Sequence, residues 1–318
     1  LPSPTDPIKA RFQRFATEEA RGVSATYKRY AQSVASSTDL LTKLAALPSA
    51  KQQPNLLFAA TRLAAGLAPE GTDFARHVLE AWPKIASVVM ARDTQTNEPG
   101  RCACLLPALA QIEGPLAILE VGAAAGLCLL PDHYGYAFGA HVLPASSESA
   151  PIFPCEANTH TPLPHRHPKI VWRAGLDINP LDVTNAADMN WLRTLVWPEQ
   201  TQRRARLDQA IAVAQRLRPR VIAGDLLADT AALASEAPKD ATLVIFHTAV
   251  LKYVDMATRR AFADMVADLG ATWLANEGVR VLPRTGLSDR PDAFVLSQNG
   301  RPIARTGPHG QYIDWLWT

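Results

Sequence analysis

Apolar residues recur at helical spacing through the first third of the chain. In "PIKARFQRFATEEARGVSATYKRYAQSVA", Ile8, Phe12, Phe15, Val23, Tyr27, Tyr30 and Val34 fall near one helical face. "TDLLTKLAAL" follows, with Thr38 or Asp39 placed to cap it. "PNLLFAATRLAAGL" carries Pro54 in its first turn, where a missing N–H costs nothing. "DFARHVLEAWPKIASVVMAR" is interrupted at Pro83, and "TNEPGRCACLLPALAQI" reads as a last helix entered near Asn97. No strand pattern precedes residue 116.

The period then changes. "LAILEV", "KIVWRAGL", "RVIAGD", "TLVIFHT" and "TWLANEG" are short, strand-like apolar runs. Between them lie helical candidates at 127–134, from 186 to about 217, at 229–236 and at 255–269. Strand alternating with helix predicts an α/β fold on a mostly parallel sheet. "DAFVLSQNGRPIART" adds two runs around Asn299-Gly300, a hairpin signal, so the sheet is expected to end in an antiparallel hairpin. The link "GVRVLPRTGLSDRPD" is too rich in Pro and Gly for a helix. Residues 135–168 break the alternation and read as an inserted loop or small hairpin. The expected organisation is a helical region over 1–113, covering the cleft of an α/β domain over 114–318.

Composition narrows the class. Of 318 residues, 47% are hydrophobic and 19% charged, which describes a globular chain rather than a disordered one. A net charge of +2 is too small for a nucleic-acid or membrane surface. No apolar stretch is long enough for a bilayer, and no secretory leader is legible, so a cytoplasmic place is expected. The four cysteines, Cys102, Cys104, Cys128 and Cys155, form no Cys-x-x-Cys pair and read as reduced thiols. Cys155, His160, His165 and His167 match no zinc spacing, so no metal is expected.

The candidate chemistry gathers at strand ends, where open α/β sheets bind ligands. After Glu120 comes Gly122-Ala123-Ala124-Ala125-Gly126, with the outer glycines of a nucleotide-binding turn and Ala124 in the middle place. An ordinary strand-to-helix corner produces the same pattern. The second strand ends on Asp177, suited to ribose hydroxyls. The third ends on Asp225, suited with Leu226 to border an adenine. Both acids also fit turn or cap positions. His247 ends the fourth strand, either as a base or hydrogen-bonding partner for a substrate or as a packed core residue. Tyr253 and Glu277 are further candidates on that side. Asn97 and Glu98 either face the cleft or cap the helix that contains Arg101. Trp191 and Trp197 read as packing residues, with Trp197 and Glu199 as an alternative pocket lining.

Glu120-Val-Gly122-x-x-x-Gly126, the acids at 177 and 225 and the C-terminal hairpin resemble the Rossmann-like class of S-adenosylmethionine-dependent methyltransferases. "RDTQTNEPGRCACLLP", "WRAGLDINPLDVTN", "WPEQTQRRARL" and "VIFHTAVLKYV" are similar, over nearly the whole chain, to phrases of a bacterial family of uncharacterised proteins with a methyltransferase-like fold. The resemblance implies S-adenosylmethionine as cofactor. It sets the Gly122–Gly126 turn against the methionine part, Arg101 on its carboxylate, and Glu120 orienting the turn or, through water, the amino group. It further implies methyl transfer to a small molecule, with His247 or Tyr253 on the acceptor side. The alternative is a non-catalytic protein that keeps the fold and binds the cofactor or another nucleotide. A nicotinamide oxidoreductase ranks below both, for want of a Tyr-x-x-x-Lys pair.

Overall fold

The computed structural model describes residues 3–279, 281 and 293–316. The chain divides into two compact units, residues 1–96 with 187–205, and residues 97–186 with 206–318. The sequence boundary at 113 is thus displaced. The reason is local: α7 (Cys102–Ala110) is apolar on all sides and nearly every residue of it is buried, so it packs as part of the sheet unit.

The first unit is helical. It opens with α1 (Asp6–Arg14), α2 (Ala25–Ser36), α3 (Thr38–Ala45), α4 (Pro54–Ala65), α5 (Phe74–Glu80) and α6 (Trp82–Ala91). The caps explain these bounds. Ser24 accepts from the Tyr27 amide and Asp73 from that of Arg76. The cap of α3 is Ser37, accepting from Leu40 at 3.3 Å, one position before the expected pair. Pro54 starts α4 and Pro83 lies in the first turn of α6, as their missing N–H groups require. The apolar stripes meet on Phe58, whose ring is edge-on to Phe12, Phe15, Tyr30 and Phe74. Residues 187–205 bring Trp191 and Trp197 into this core. The Trp197 ring sits 5.5 Å from Phe15 and 5.4 Å from Tyr27, and Glu199 accepts from the Thr26 amide. These are packing and capping roles.

The second unit continues from α7 through β1 (Leu116–Val121), β2 (Gly135–Phe138), β3 (His141–Leu143), β4 (Ile152–Pro154), β5 (Glu156–Ala157) and β6 (Ile170–Asp177). The chain then gives α8 (Ala186–Leu195) and the start of α9 (Thr201–Leu217) to the first unit, and the second resumes at residue 206 with the rest of α9, β7 (Val221–Ala223), α10 (Thr230–Ala234), β8 (Thr242–Thr248), α11 (Met256–Asp268) and β9 (Thr272–Gly278). It closes with β10 (Phe294–Gln298), β11 (Arg301–Thr306) and β12 (Tyr312–Trp315). The nine-stranded sheet has the order β5-β12-β11-β10-β9-β8-β1-β6-β7. Strands β7, β6, β1, β8 and β9 are parallel, and β10, β11 and β12 follow antiparallel to one another. The hairpin between β10 and β11 turns at Asn299 and Gly300, both with positive φ. The expected Pro/Gly-rich link before it falls mostly on residues outside those described. No helix among the described residues is long and apolar enough to cross a membrane.

The helix expected at 127–134 does not form. A single 3-10 turn, Leu127–Leu129, is followed by Pro131 and then by β2. Side chains take the carbonyls that a helix would use: Tyr134 Oη donates to Leu127 O, Tyr136 Oη to Pro131 O and Arg173 Nη1 to Leu129 O. Arg173 also grips Asp132 with two 2.8 Å bonds. The insertion at 135–168 is a three-stranded sheet of order β3-β2-β4, plus β5 on the edge of the main sheet. His141 and His167 pin its loops through the carbonyls of Pro164 and Pro144. Among the described residues no group of three or more His, Cys, Asp or Glu is arranged to hold a metal. All four cysteines are buried, free thiols.

Candidate functional site

The chain passes from β1 to β6 and β7 on one side, then returns to β8 on the other side of β1. That reversal is the switch point at which open α/β sheets leave a crevice beyond the carboxyl strand ends. The turn after β1 lies there. Gly122, Ala124 and Gly126 have φ of 75°, 49° and 72°. The left-handed value is cheap for the glycines and costs of order 1–3 kcal/mol for Ala124. Two clamps hold Ala124. Its amide donates to Asp177 Oδ2 at 2.7 Å, and its carbonyl accepts from the Leu181 amide at 3.0 Å. The amides of Gly122 and Ala123 both reach Leu176 O, and that of Leu127 reaches Asn97 Oδ1. A Cβ at Gly122 would collide with Val250. A Cβ at Gly126 would meet Val221 and Pro219. Both glycines therefore admit neighbouring protein side chains.

Strand alternation separates two polar sets. Leu119, Val121, Leu176 and Ile245 pack with Phe262 and Val266 of α11 on one face. Glu120 points to the other, as do Thr248 and Asn276, which are register partners on β8 and β9. Arg101 lies across this second face, only 7% exposed. Its Nε donates to Pro308 O, its Nη1 to the carbonyl and hydroxyl of Thr248, and its guanidinium stands 5.6 Å from the Phe294 ring centroid. Asn276 accepts from Thr306 Oγ1 at 2.7 Å. Among the described residues its Nδ2 is buried without an acceptor, and Glu120 Oε2 is buried without a partner. Burial first, then the neighbouring Cys128 and Asp177, push the Glu120 carboxyl well above the ordinary value; Arg101 offsets only part of this. Glu98 accepts from the Gly100 amide, and its second oxygen lies 3.5 Å from Nδ1 of His309.

His247 sits on the α11 face, fully buried, its ring 5.8 Å from those of Phe262 and Trp273. Trp273 Nε1, which can only donate, reaches His247 Nε2 at 3.0 Å. The imidazole proton is therefore on Nδ1, which faces Glu277 Oε1 at 2.7 Å. The same Glu277 oxygen accepts from the amides of Val250 and Leu251. Both ring nitrogens are committed, so the arrangement positions the β8–β9 ends and gives His247 no lone pair for a substrate proton.

The remaining expected residues are dispersed. Asp177 Oδ1 accepts from the Asn179 amide, so its two oxygens stitch the β6 end to the β1 turn. Asp225 is exposed and accepts from the amides of Leu227 and Ala228, a turn-capping role; Leu226 is half-buried beside it. Tyr253 is 67% exposed, with Lys252 Nζ 4.7 Å from its ring centroid.

A protein-family model matches residues 9–315. The chain belongs to DUF2332, described as uncharacterised proteins conserved in bacteria. Comparison with curated proteins and with solved structures found no match. In this DUF2332 protein Arg101 is bonded to Thr248, whose register partner Asn276 is bonded to Thr306, His309 lies against Glu98, and Asn97 accepts from the Leu127 amide after the β1 turn; the motifs do not single out Thr248, Asn276, Thr306 or His309. Asn276 alone left a trace in the sequence. It is a polar residue inside the apolar run "TWLANEG", next to the Glu277 that drew attention instead.

Proposed function

We propose that this DUF2332 protein is an S-adenosylmethionine-dependent methyltransferase acting on a small molecule. The reading is carried by one observation: the left-handed turn after β1 stands at the sheet's switch point and is tied to an acid at the end of the adjacent strand, Asp177. A mostly parallel sheet closed by antiparallel strands also supports a Rossmann-like methyltransferase fold. The donor set fits part of the cofactor. Arg101 and Asn276 suit an acidic group, and the roughly four acceptor positions of a carboxylate let Asp177 hold both the turn and a ribose hydroxyl. Ile178, 85% exposed beside it, offers an apolar surface to a flat base. When bound, the cofactor supplies an electrophilic methyl group; the chain's own task is to align an acceptor with it.

A second reading is a ligand-binding protein without turnover. The side chain of Val250 over Gly122 and the commitment of both His247 nitrogens favour it. Calorimetric titration with S-adenosylmethionine and S-adenosylhomocysteine, on wild type and Asp177→Asn, tests both. Micromolar binding weakened by the substitution supports the cofactor site. An acceptor screen with labelled cofactor then separates enzyme from binder. Absence of binding by folded, ligand-free protein removes the cofactor reading.

A further inference from the structure

We propose that the cysteines form two latent disulfides, Cys102–Cys128 and Cys104–Cys155, which close when the protein meets hydrogen peroxide. The chain has four cysteines, and each stands within hydrogen-bond reach of another. The thiols of Cys102 and Cys128 are one pair, and Cys102 Sγ also lies 3.6 Å from Cys128 O. The thiols of Cys104 and Cys155 are the other. The backbone brings these last two together independently. Cys104 Sγ donates to Tyr312 O at 3.2 Å, and Tyr312 is the register partner of Glu156, the residue after Cys155. All four side chains are buried as free thiols.

Each bridge has its own place. Cys128 lies in the 3-10 turn after Gly126, so one bridge ties α7 to the exit of the β1 turn. Cys155 lies between β4 and β5, so the other ties α7 to the insertion beside β12. The chemistry balances. One thiol sulfur attacks a peroxide oxygen, the O–O bond breaks, and hydroxide leaves as water with the thiol proton, giving a sulfenic acid. The partner sulfur attacks the sulfenic sulfur, the S–O bond breaks, and a second water carries off the second thiol proton. Two electrons pass from the two sulfurs to the peroxide. The bond from the partner thiol first, then burial, pushes the Cys104 and Cys128 thiols well above the ordinary value. Little thiolate is therefore present in the intact fold, and closure follows local opening.

The test treats the native chain with hydrogen peroxide, alkylates the residual thiols and maps the bridges by peptide mass. The expected products are the 102–128 and 104–155 bridges alone, reversed by dithiothreitol, in a chain that melts above the reduced one. Asn158 binds Trp315 across the β5–β12 pairing, so Asn158→Ala is expected to speed the 104–155 closure about tenfold and to leave the 102–128 closure unchanged. Cys155→Ser should keep only the 102–128 bridge. A bridge between Cys102 and Cys104, chains cross-linked to one another, or single sulfurs oxidised past the sulfenic state without bridging overturns the proposal. So does survival of either pair's thiols in both wild type and Asn158→Ala. Mapping on wild type decides the pairing even if a variant fails to fold. No ligand enters the experiment, so its outcome is independent of the cofactor reading.

Discussion

Glu120 and Glu277 are two buried carboxyl groups in one sheet, on β1 and β9 with only β8 between them. They face opposite ways and are treated oppositely. One oxygen of Glu277 gathers three donors: the imidazole of His247 and the amides of Val250 and Leu251. Among the described residues Glu120 Oε2 gathers none, and neither does Glu277 Oε2, so the two acids differ in what Oε1 of Glu277 collects. The α11 face spends its charge on holding strand ends together, whereas the Arg101 face keeps donors in reserve. Burial alone does not distinguish a structural acid from a receptive one; the donors around it do.

The largest test breaks the side where donors converge. Glu277→Ala strands His247 and two amides, and chemical denaturation is expected to show a loss of about 3–5 kcal/mol. The pH dependence has a definite sign. Burial raises the Glu277 pKa, but the bonds from His247, Leu251 and Val250 outweigh it and hold it below the ordinary value. Its stabilisation is therefore present above the unfolded-state value, about 4.3, and disappears as pH falls through the folded one. Glu277→Gln should flatten that acid limb.

Val250 joins the two sides, since its amide binds Glu277 and its side chain packs over Gly122. Gly122→Ala is expected to cost about 1–3 kcal/mol through strain and overpacking. Val250→Ala in the same chain should return part of that loss. Recovery of neither stability nor the Glu277 acid limb would show that Val250 does not couple them.

On the starved side the sign reverses. The raised Glu120 pKa means that the unfolded chain releases its proton first, so stability is full below the ordinary glutamate range and declines as pH rises above it. Glu120→Gln should melt near wild type at pH 5 and above it at pH 8. A variant less stable at both would mean that Glu120 has a structural partner after all. Smallest of all, Tyr253→Ala should change stability by no more than about 0.5 kcal/mol, and ligand binding not at all.

Much of the scaffold was legible because periodicity and capping are local. The helical first third, the five parallel strands and the Asn299-Gly300 hairpin follow from spacing that neighbouring residues impose. The site was legible only in part. Glu120, Arg101, Asn97 and Glu98 sit close to the β1 turn in sequence, so a motif reading finds them. Thr248, Asn276, Thr306 and His309 come from strands and a loop more than a hundred residues later, and no spacing records their bonds. The helix expected after Gly126 failed for a related reason: Tyr134, Tyr136 and the distant Arg173 compete for its carbonyls. His247 shows the converse case, where the sequence leaves a base and a packed core residue both open. A histidine at a strand end suggests chemistry until Trp273 and Glu277, from the next strand, are seen to occupy both nitrogens.

The pairing of β5 with β12 has a kinetic consequence. Asn158 binds the Trp315 backbone through both ends of its amide, a contact between positions 157 residues apart. Loop-closure entropy makes such a contact late. During synthesis β5 and Asn158, at the end of the insertion, must therefore stay unlatched until β12 has left the ribosome. Refolding should accordingly end in a slow phase that reports on Trp315 fluorescence and that Asn158→Ala alters without touching the earlier ones.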